Sequence, residues 1–447
     1  MASLVAAVQR TAAWIDRWHW VGLILSAPFL LFPSPSRSLA LLIIPALWFI
    51  GLTVGTAPVR RTPFNLVLLL MFLMILISEW ATYELASSLP KIAGMVLGIG
   101  LFFALVRIGE SFRAWWIACG MLLLSGIGIV GIGLVGTNFG NKLDLLSPIV
   151  SQLAPRLRGI PGVESGISPN EVAGTLVWLL PLFLTLTVSS IRLRWSIGAI
   201  VGLMCGTLLI FAVLVLTQSR GGYLGIAFTF LGLLLFVTPR RKRGVALILV
   251  LILMGIGLAV AMTQPSLLTA LVANSNASNP TDPIAVIESA NGRVEVWSRA
   301  IYGIQDFPFT GMGMNTFRKV ITVLYPLFLV SPDYDIAHAH NEFLQAALDL
   351  GIPGMIAFTA LYLVAFWVLA EIWRAASQSP NGMLLRALSL GFGGGLVAHM
   401  VYGMTDAVAL GAKPGFIFWM MLGLIAALYN QVRTGRITEW QLGARHD

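Results

Sequence analysis

Residues 195–243 read WSIGAIVGLMCGTLLIFAVLVLTQSRGGYLGIAFTFLGLLLFVTPRRKR. Two continuous apolar runs, 195–216 and 221–238, are joined only by Gln218-Ser219-Arg220-Gly221-Gly222 and end on Arg240-Arg241-Lys242-Arg243. Each run has about the 20 residues that a helix needs to cross a bilayer. Continuous apolar runs, unlike alternating ones, exclude an outer-membrane barrel. Basic residues collect on the cytoplasmic side of a membrane, so the RRKR end is expected inside and the tight SRGG joint outside. Arg220 is then fixed at the outer lip of a helical hairpin, beside glycines that open backbone N–H groups at a helix start. Both the guanidinium and the helix N-terminus favour anions such as phosphate, although an arginine there can also simply reach lipid headgroups.

The rest of the chain repeats this pattern. Its 447 residues are 57% hydrophobic and 11% charged, with a mean hydropathy of +0.87, against about 25% charged in soluble domains. The expected fold class is an all-α polytopic membrane protein with about 12 transmembrane helices. The expected spans are 20–34, 38–55, 64–83, 90–107, 113–135, 169–190, 195–216, 221–238, 245–263, 350–373, 384–405 and 414–432. With the N-terminus in the cytoplasm, most basic residues fall inside, including Arg60, Arg61, Arg107, Arg113, Arg192, Arg194, Arg374, Arg386, Arg433 and Arg436. Most acidic residues fall outside. An even number of spans returns the C-terminus to the cytoplasm. The formal net charge of +9 follows from this topology and calls for no nucleic-acid partner. Cys119 and Cys205 lie within apolar runs, so no disulfide framework or metal site is implied. No small-residue cleavage site follows the apolar stretch Trp20–Pro33.

The domain plan is 1–263 for the first nine membrane helices, with an outer loop at about 136–168. A large outer loop or cap covers 264–349, the last three helices 350–432, and a cytoplasmic tail 433–447. Within the cap, 274–283 (NSNASNPTDP) reads as a flexible polar stretch, and 294–305 has helical apolar spacing with Asn291-Gly292 as its start.

The cap ends on His338-Ala339-His340-Asn341-Glu342, and Gly351-Ile352-Pro353-Gly354 opens the next span. An imidazole at the mouth of a membrane bundle can exchange a proton near neutral pH. The i, i+2 spacing of His338 and His340 keeps them off one helix face. Asp333 and Asp335 supply no convincing third ligand, so no metal is expected. Asn341 and Glu342 are candidates to orient the ring or cap the helix. Arg293 and Arg299 lie on the cap helix and face different directions. Lys91 starts an outer helix end as a phosphate contact or interface anchor. His399 and Asp406, toward the outer end of the eleventh span, are supporting candidates because ionisable groups in spans are often functional. Capping explains Asn170 and Glu171 adequately.

From His340 to Gly354 the pattern His, Asn, nine residues, Gly, two residues, Gly resembles the signature of bacterial O-antigen ligases. Ser219-Arg220-Gly221-Gly222, 292–297 (GRVEVW) and 307–313 (FPFTGMG) resemble the wider ligase/polymerase superfamily, and the likeness covers roughly 20–432. It implies a GT-C-type glycosyltransferase of the bacterial inner membrane with its active site on the periplasmic side. The donor would be a glycan on undecaprenyl diphosphate and the acceptor a sugar hydroxyl of lipid A–core. The transfer would be metal-independent and inverting, with no cofactor. By the same resemblance His340 would be the general base, and Arg220 and Arg293 would steady the diphosphate. His338, Asn341, Arg299 and Lys91 would be possible supports. Transfer should then fall as acid protonates the imidazole. An O-antigen polymerase or an O-linked protein oligosaccharyltransferase shares these features. A transporter fits the span number, but the informative polar residues cluster on one face rather than at mid-membrane.

Overall fold

A computed structural model describes residues 2–31, 36–139, 146–153, 167–242, 244–245, 247–248, 290–331, 335–408, 410–411 and 413–436. Among these residues the structure is helical, with a single isolated bridge between Thr137 and Ile167. The helices are α1 (Ala2–Arg17), α2 (His19–Leu31), α3 (Ile43–Thr53), α4 (Asn65–Ala81), α5 (Leu85–Ile108), α6 (Phe112–Gly136) and the short α7 (Ser147–Val150). They continue with α8 (Pro169–Arg192), α9 (Ile197–Thr217), α10 (Arg220–Val237), α11 (Ala290–Asp306), α12 (Thr316–Leu324), α13 (Glu342–Ala375), α14 (Gly382–Tyr402) and α15 (Phe416–Arg433).

Seven helices among the described residues are long and apolar enough to cross a membrane: Leu85–Ile108, Phe112–Gly136, Pro169–Arg192, Ile197–Thr217, Glu342–Gln378, Gly382–Tyr402 and Lys413–Arg433. Four shorter apolar helices, His19–Leu30, Arg37–Thr53, Asn65–Ala81 and Arg220–Phe236, fall on four more of the expected spans. The remaining expected span, 245–263, lies outside the described residues except for 245, 247 and 248, as do all of the cap from 264 to 289 and most of the loop 140–166. The chain is therefore a polytopic helical membrane protein. Its opening hairpin forms as the sequence expects. Ser196 caps α9, Gln218 ends it with left-handed backbone (φ 52°), and the Ser219 hydroxyl caps α10 by accepting from Gly222 N. The one-residue left-handed stop reverses the chain in almost no length.

Lipid tails give helices no hydrophobic reason to associate, so close packing of small residues must hold the bundle together. α8 shows this best. Leu176, Val177, Trp178, Leu179 and Leu182 are all buried on it, and α14 presses against its flank. A Cβ on Gly395 would stand 2.1 Å from the Trp178 carbonyl oxygen, so only glycine lets these two backbones approach. Outside the bundle, α11, α12 and the start of α13 share a separate small core of Val296, Ala300, Phe317, Ile321 and Leu348. That core is the described part of the cap.

The signature glycine has a visible purpose. α13 breaks at Gly351 (φ 70°, ψ 175°), a backbone region that side chains rarely adopt. The turn 308–312 fills the notch. Met312 N donates to Leu348 O and Ile352 N to Pro308 O, both at 2.7 Å, and a Cβ on Gly351 would meet the Phe309 carbonyl oxygen at 2.4 Å. The segment Glu342–Leu350 is thereby clamped between cap and bundle, with His340 just beyond its N-terminus.

Candidate active site

Three elements converge where the cap meets the bundle: the residues before α13, the turn after α14, and α11. His338 Nε2 and His340 Nδ1 each lie 3.5 Å from Asp406 Oδ1, and the two imidazole centroids are 4.4 Å apart. Asp406 is buried and is steadied by Ala407 N, which donates to its Oδ1 at 2.9 Å. The backbone N–H of His340 donates to His338 Nδ1 at 3.2 Å, so the His338 proton belongs on Nε2, facing the carboxylate. His340 turns Nδ1 to the same carboxylate. At 3.5 Å this is a close approach rather than a hydrogen bond, but a carboxylate facing Nδ1 favours the tautomer that keeps the proton on Nδ1 and leaves Nε2 basic.

His340 is held in left-handed backbone, φ 47°, uncommon for a residue with a side chain and characteristic of functional sites. Its surroundings enforce the conformation. Trp297 Nε1 donates to His340 O at 3.2 Å, and Ala339 N donates to Gln345 Oε1 at 2.8 Å. Asn341 Oδ1 caps α13 by accepting from Phe343 N and Leu344 N, both at 3.0 Å. Asn341 Nδ2 donates across to Met404 O, also at 3.0 Å. Asn341 thus both caps the helix and ties it to the turn that carries Asp406.

Cations surround the cluster. Arg293, on the first turns of α11, acts on both His338 and Asp406, and its buried Nε has no hydrogen-bond partner among the described residues. Burial and the neighbouring His340, with Lys91 and Arg293 adding to them against Asp406, push the His338 imidazole down to about 3. Burial alone would raise Asp406, but its contact with His340 and the charges of His338, His340 and Arg293 hold it below the usual carboxylate range. Arg220 is half-buried at the start of α10. Its neighbour Gly221 packs on the same turn, since a Cβ there would meet Thr405 Oγ1 at 2.4 Å. That places the α10 N-terminus beside the residue preceding Asp406.

Two expected supports hold other places. Lys91 is ion-paired with the buried Asp349 carboxylate, whose Oδ1 also accepts from Gln345 Nε2 at 2.9 Å and Asn315 N at 3.1 Å. Its charge reaches His338, but its ammonium is engaged in a strut that runs through Gln345 to Ala339. Arg299 is a brace of the cap. Its Nε donates to Pro326 O at 2.8 Å, it pairs with Glu295 at 3.7 Å, and its guanidinium lies over Tyr302 and Phe328. Asp349 and Gln345 escaped the sequence reading. The available signal was an acid and an amide four residues apart on an apolar helix.

Asp406 also supplies the third ligand that the sequence lacked. His338, His340 and Asp406 present ligand atoms within 4.8 Å of one another, a set of donors that suits a transition metal. The sequence reading missed this grouping because Asp406 comes from the end of a different helix. The flanking Arg293 and Lys91 oppose a dication and favour an anion.

Residues 205–359, about a third of the chain, match the family described as O-Antigen ligase. That segment is similar to the O-antigen ligase family. Members of that family are glycosyltransferase-like enzymes. The matched segment holds Arg220, Arg293, His338, His340 and both signature glycines, and Asp406 lies beyond it. No curated protein matches the chain.

Proposed function

We propose that this protein is an O-antigen ligase of that family, transferring a glycan from undecaprenyl diphosphate to a sugar hydroxyl of lipid A–core, at the periplasmic face of a twelve-span inner-membrane GT-C enzyme. The observation that carries the reading is the meeting of His340, Asp406 and Arg293 at the mouth of α13. His340 Nε2 takes the proton of the acceptor hydroxyl while Asp406 holds the ring through Nδ1 and stabilises the charge it gains. The hydroxyl oxygen attacks the anomeric carbon from the face opposite the diphosphate, the C–O bond to the leaving phosphate breaks, and the configuration inverts. Negative charge grows on the departing lipid diphosphate, and Arg293 and Arg220 neutralise it. The proton, first on His340, leaves to solvent or to the released diphosphate. Arginines in these positions do the work that a dication does elsewhere, which supports a metal-independent reaction.

Purified protein incubated with an undecaprenyl-diphosphate glycan and lipid A–core, with chelator present, tests this beside His340→Ala. Transfer that disappears in the variant is the expected result. Elongation of the lipid-linked donor on its own would make the protein a polymerase, and transfer to a serine or threonine of a protein would make it an oligosaccharyltransferase.

A further inference from the structure

A second group of titratable side chains lies buried behind the proposed base, and the scheme above makes no use of it. The Glu342 carboxylate is 3.4 Å from His399 Nδ1, and both residues are fully buried. Tyr362 OH lies 3.0 Å from the same nitrogen, and Trp178 stacks on the imidazole at 3.8 Å. His399 Nε2 has no hydrogen-bond partner among the described residues. Two oxygens converge on Nδ1 and none on Nε2, so the ring proton belongs on Nδ1, where it can reach the Glu342 carboxylate. An acid and an imidazole inside a membrane bundle are costly, and they require a reason.

Their position supplies one. Glu342 directly follows Asn341 and is the first residue of α13, and His399 is in the last turn of α14. Glu342 N donates to Gly403 O at 2.7 Å, and Gly403 N to His399 O at the same distance. The Glu342 carboxylate packs on Gly403, where a Cβ would meet Oε2 at 3.0 Å. With the Asn341–Met404 bond, these contacts seam the start of α13 to the turn that presents Asp406.

We infer that Glu342 and His399 form a positioning pair that sets Asp406 against the His340 ring. The inference rests on the base role proposed for His340. In this role Glu342 acts through Asp406.

A double-mutant cycle on glycan transfer tests this. Glu342→Ala is expected to lower kcat roughly tenfold with little change in donor KM, and Glu342→Gln, which keeps an acceptor at the same place, to restore most of it. Added to Asp406→Asn, Glu342→Ala is expected to cost nothing further, because the carboxylate it positions is already gone. Full multiplication of the two effects, or a Glu342→Ala enzyme with wild-type kcat, overturns the inference. His399→Leu, which keeps the bulk against Trp178, runs the same cycle if Glu342→Ala does not purify. Wild-type protein that transfers to no acceptor sinks the base reading itself, whereas active wild-type with multiplying effects sinks only the positioning pair.

Discussion

Two buried charge groups at different helix ends of this molecule are built on opposite plans. Near the end of α1, Asp16 meets Arg107 in a two-pronged pair, with Arg107 Nη1 donating to Asp16 Oδ1 at 2.7 Å and the other prong closer still. Thr56 Oγ1 adds a bond to Asp16 Oδ2 at 2.9 Å. The hydrogen bond from Arg107 holds Asp16 below the usual carboxylate range despite its burial. At the mouth of α13, two imidazoles face one carboxylate at 3.5 Å each, Arg293 Nε has no partner among the described residues, and the base stands in left-handed backbone. The first group has used its bonding capacity on itself. The second has loose internal bonds, cations beside it and residual capacity, as the proposed diphosphate-binding and proton-transfer site would need.

The sharpest way to break that contrast is at the base. His340→Ala is expected to lower transfer by roughly a thousandfold, the scale of a lost general base, with the melting temperature in detergent nearly unchanged. A variant that keeps more than a tenth of the rate removes His340 from that role. Arg293→Ala should follow at roughly a hundredfold, the scale of one lost donor to developing charge, with Arg293→Lys recovering only part because it cannot make a forked contact. Asp406→Asn is expected to cost between roughly tenfold and a hundredfold, mainly in kcat, since the ring survives but loses the carboxylate that selects its tautomer.

The same substitutions at the first group should do the reverse. Arg107→Ala leaves a buried carboxylate without its partner, a loss of about 3 kcal/mol on the scale of broken buried pairs. Thermal unfolding should register it clearly while turnover per folded molecule stays the same. Equal turnover losses at Arg107 and Arg293 would show that the two groups do not divide into scaffold and site.

Much of this division was legible in the sequence, and the missing part has a physical cause. The hairpin 195–238 with its tight joint at Arg220 and the helix start at Asn341 follow from local rules: apolar length, a left-handed stop, a capping side chain. His340 and Gly351 could be singled out because they share one segment, and the structure adds why glycine is needed, namely a kink filled by Phe309. The partner of His340 could not be read locally. Asp406 reaches it from the end of α14 through contacts set by Asn341, Glu342 and Gly403, and no spacing rule links residues on different helices. The partners of Lys91 and Arg299 were unreadable for the same reason. A lone cation in an outer segment looks available until folding brings Asp349 or Glu295 to it.

The smallest expected effect concerns His338 and separates its role from that of His340. Its imidazole is pushed down to about 3, so it carries no charge between pH 5 and 8. His338→Asn, whose side-chain oxygen can still accept from His340 N, should leave the shape of the pH–rate profile in that range unchanged. Stability should respond instead. The unfolded chain binds a proton at His338 near its ordinary value of about 6.5 while the folded chain resists it, so the unfolded state gains protons first as the pH falls. His338 therefore costs the fold progressively more stability from about pH 6.5 down toward 3. Removing it should flatten the decline of melting temperature between pH 6.5 and 4. A pH–rate profile that shifts in His338→Asn while the melting slope stays fixed would assign the titrating role to His338 and leave His340 as its scaffold.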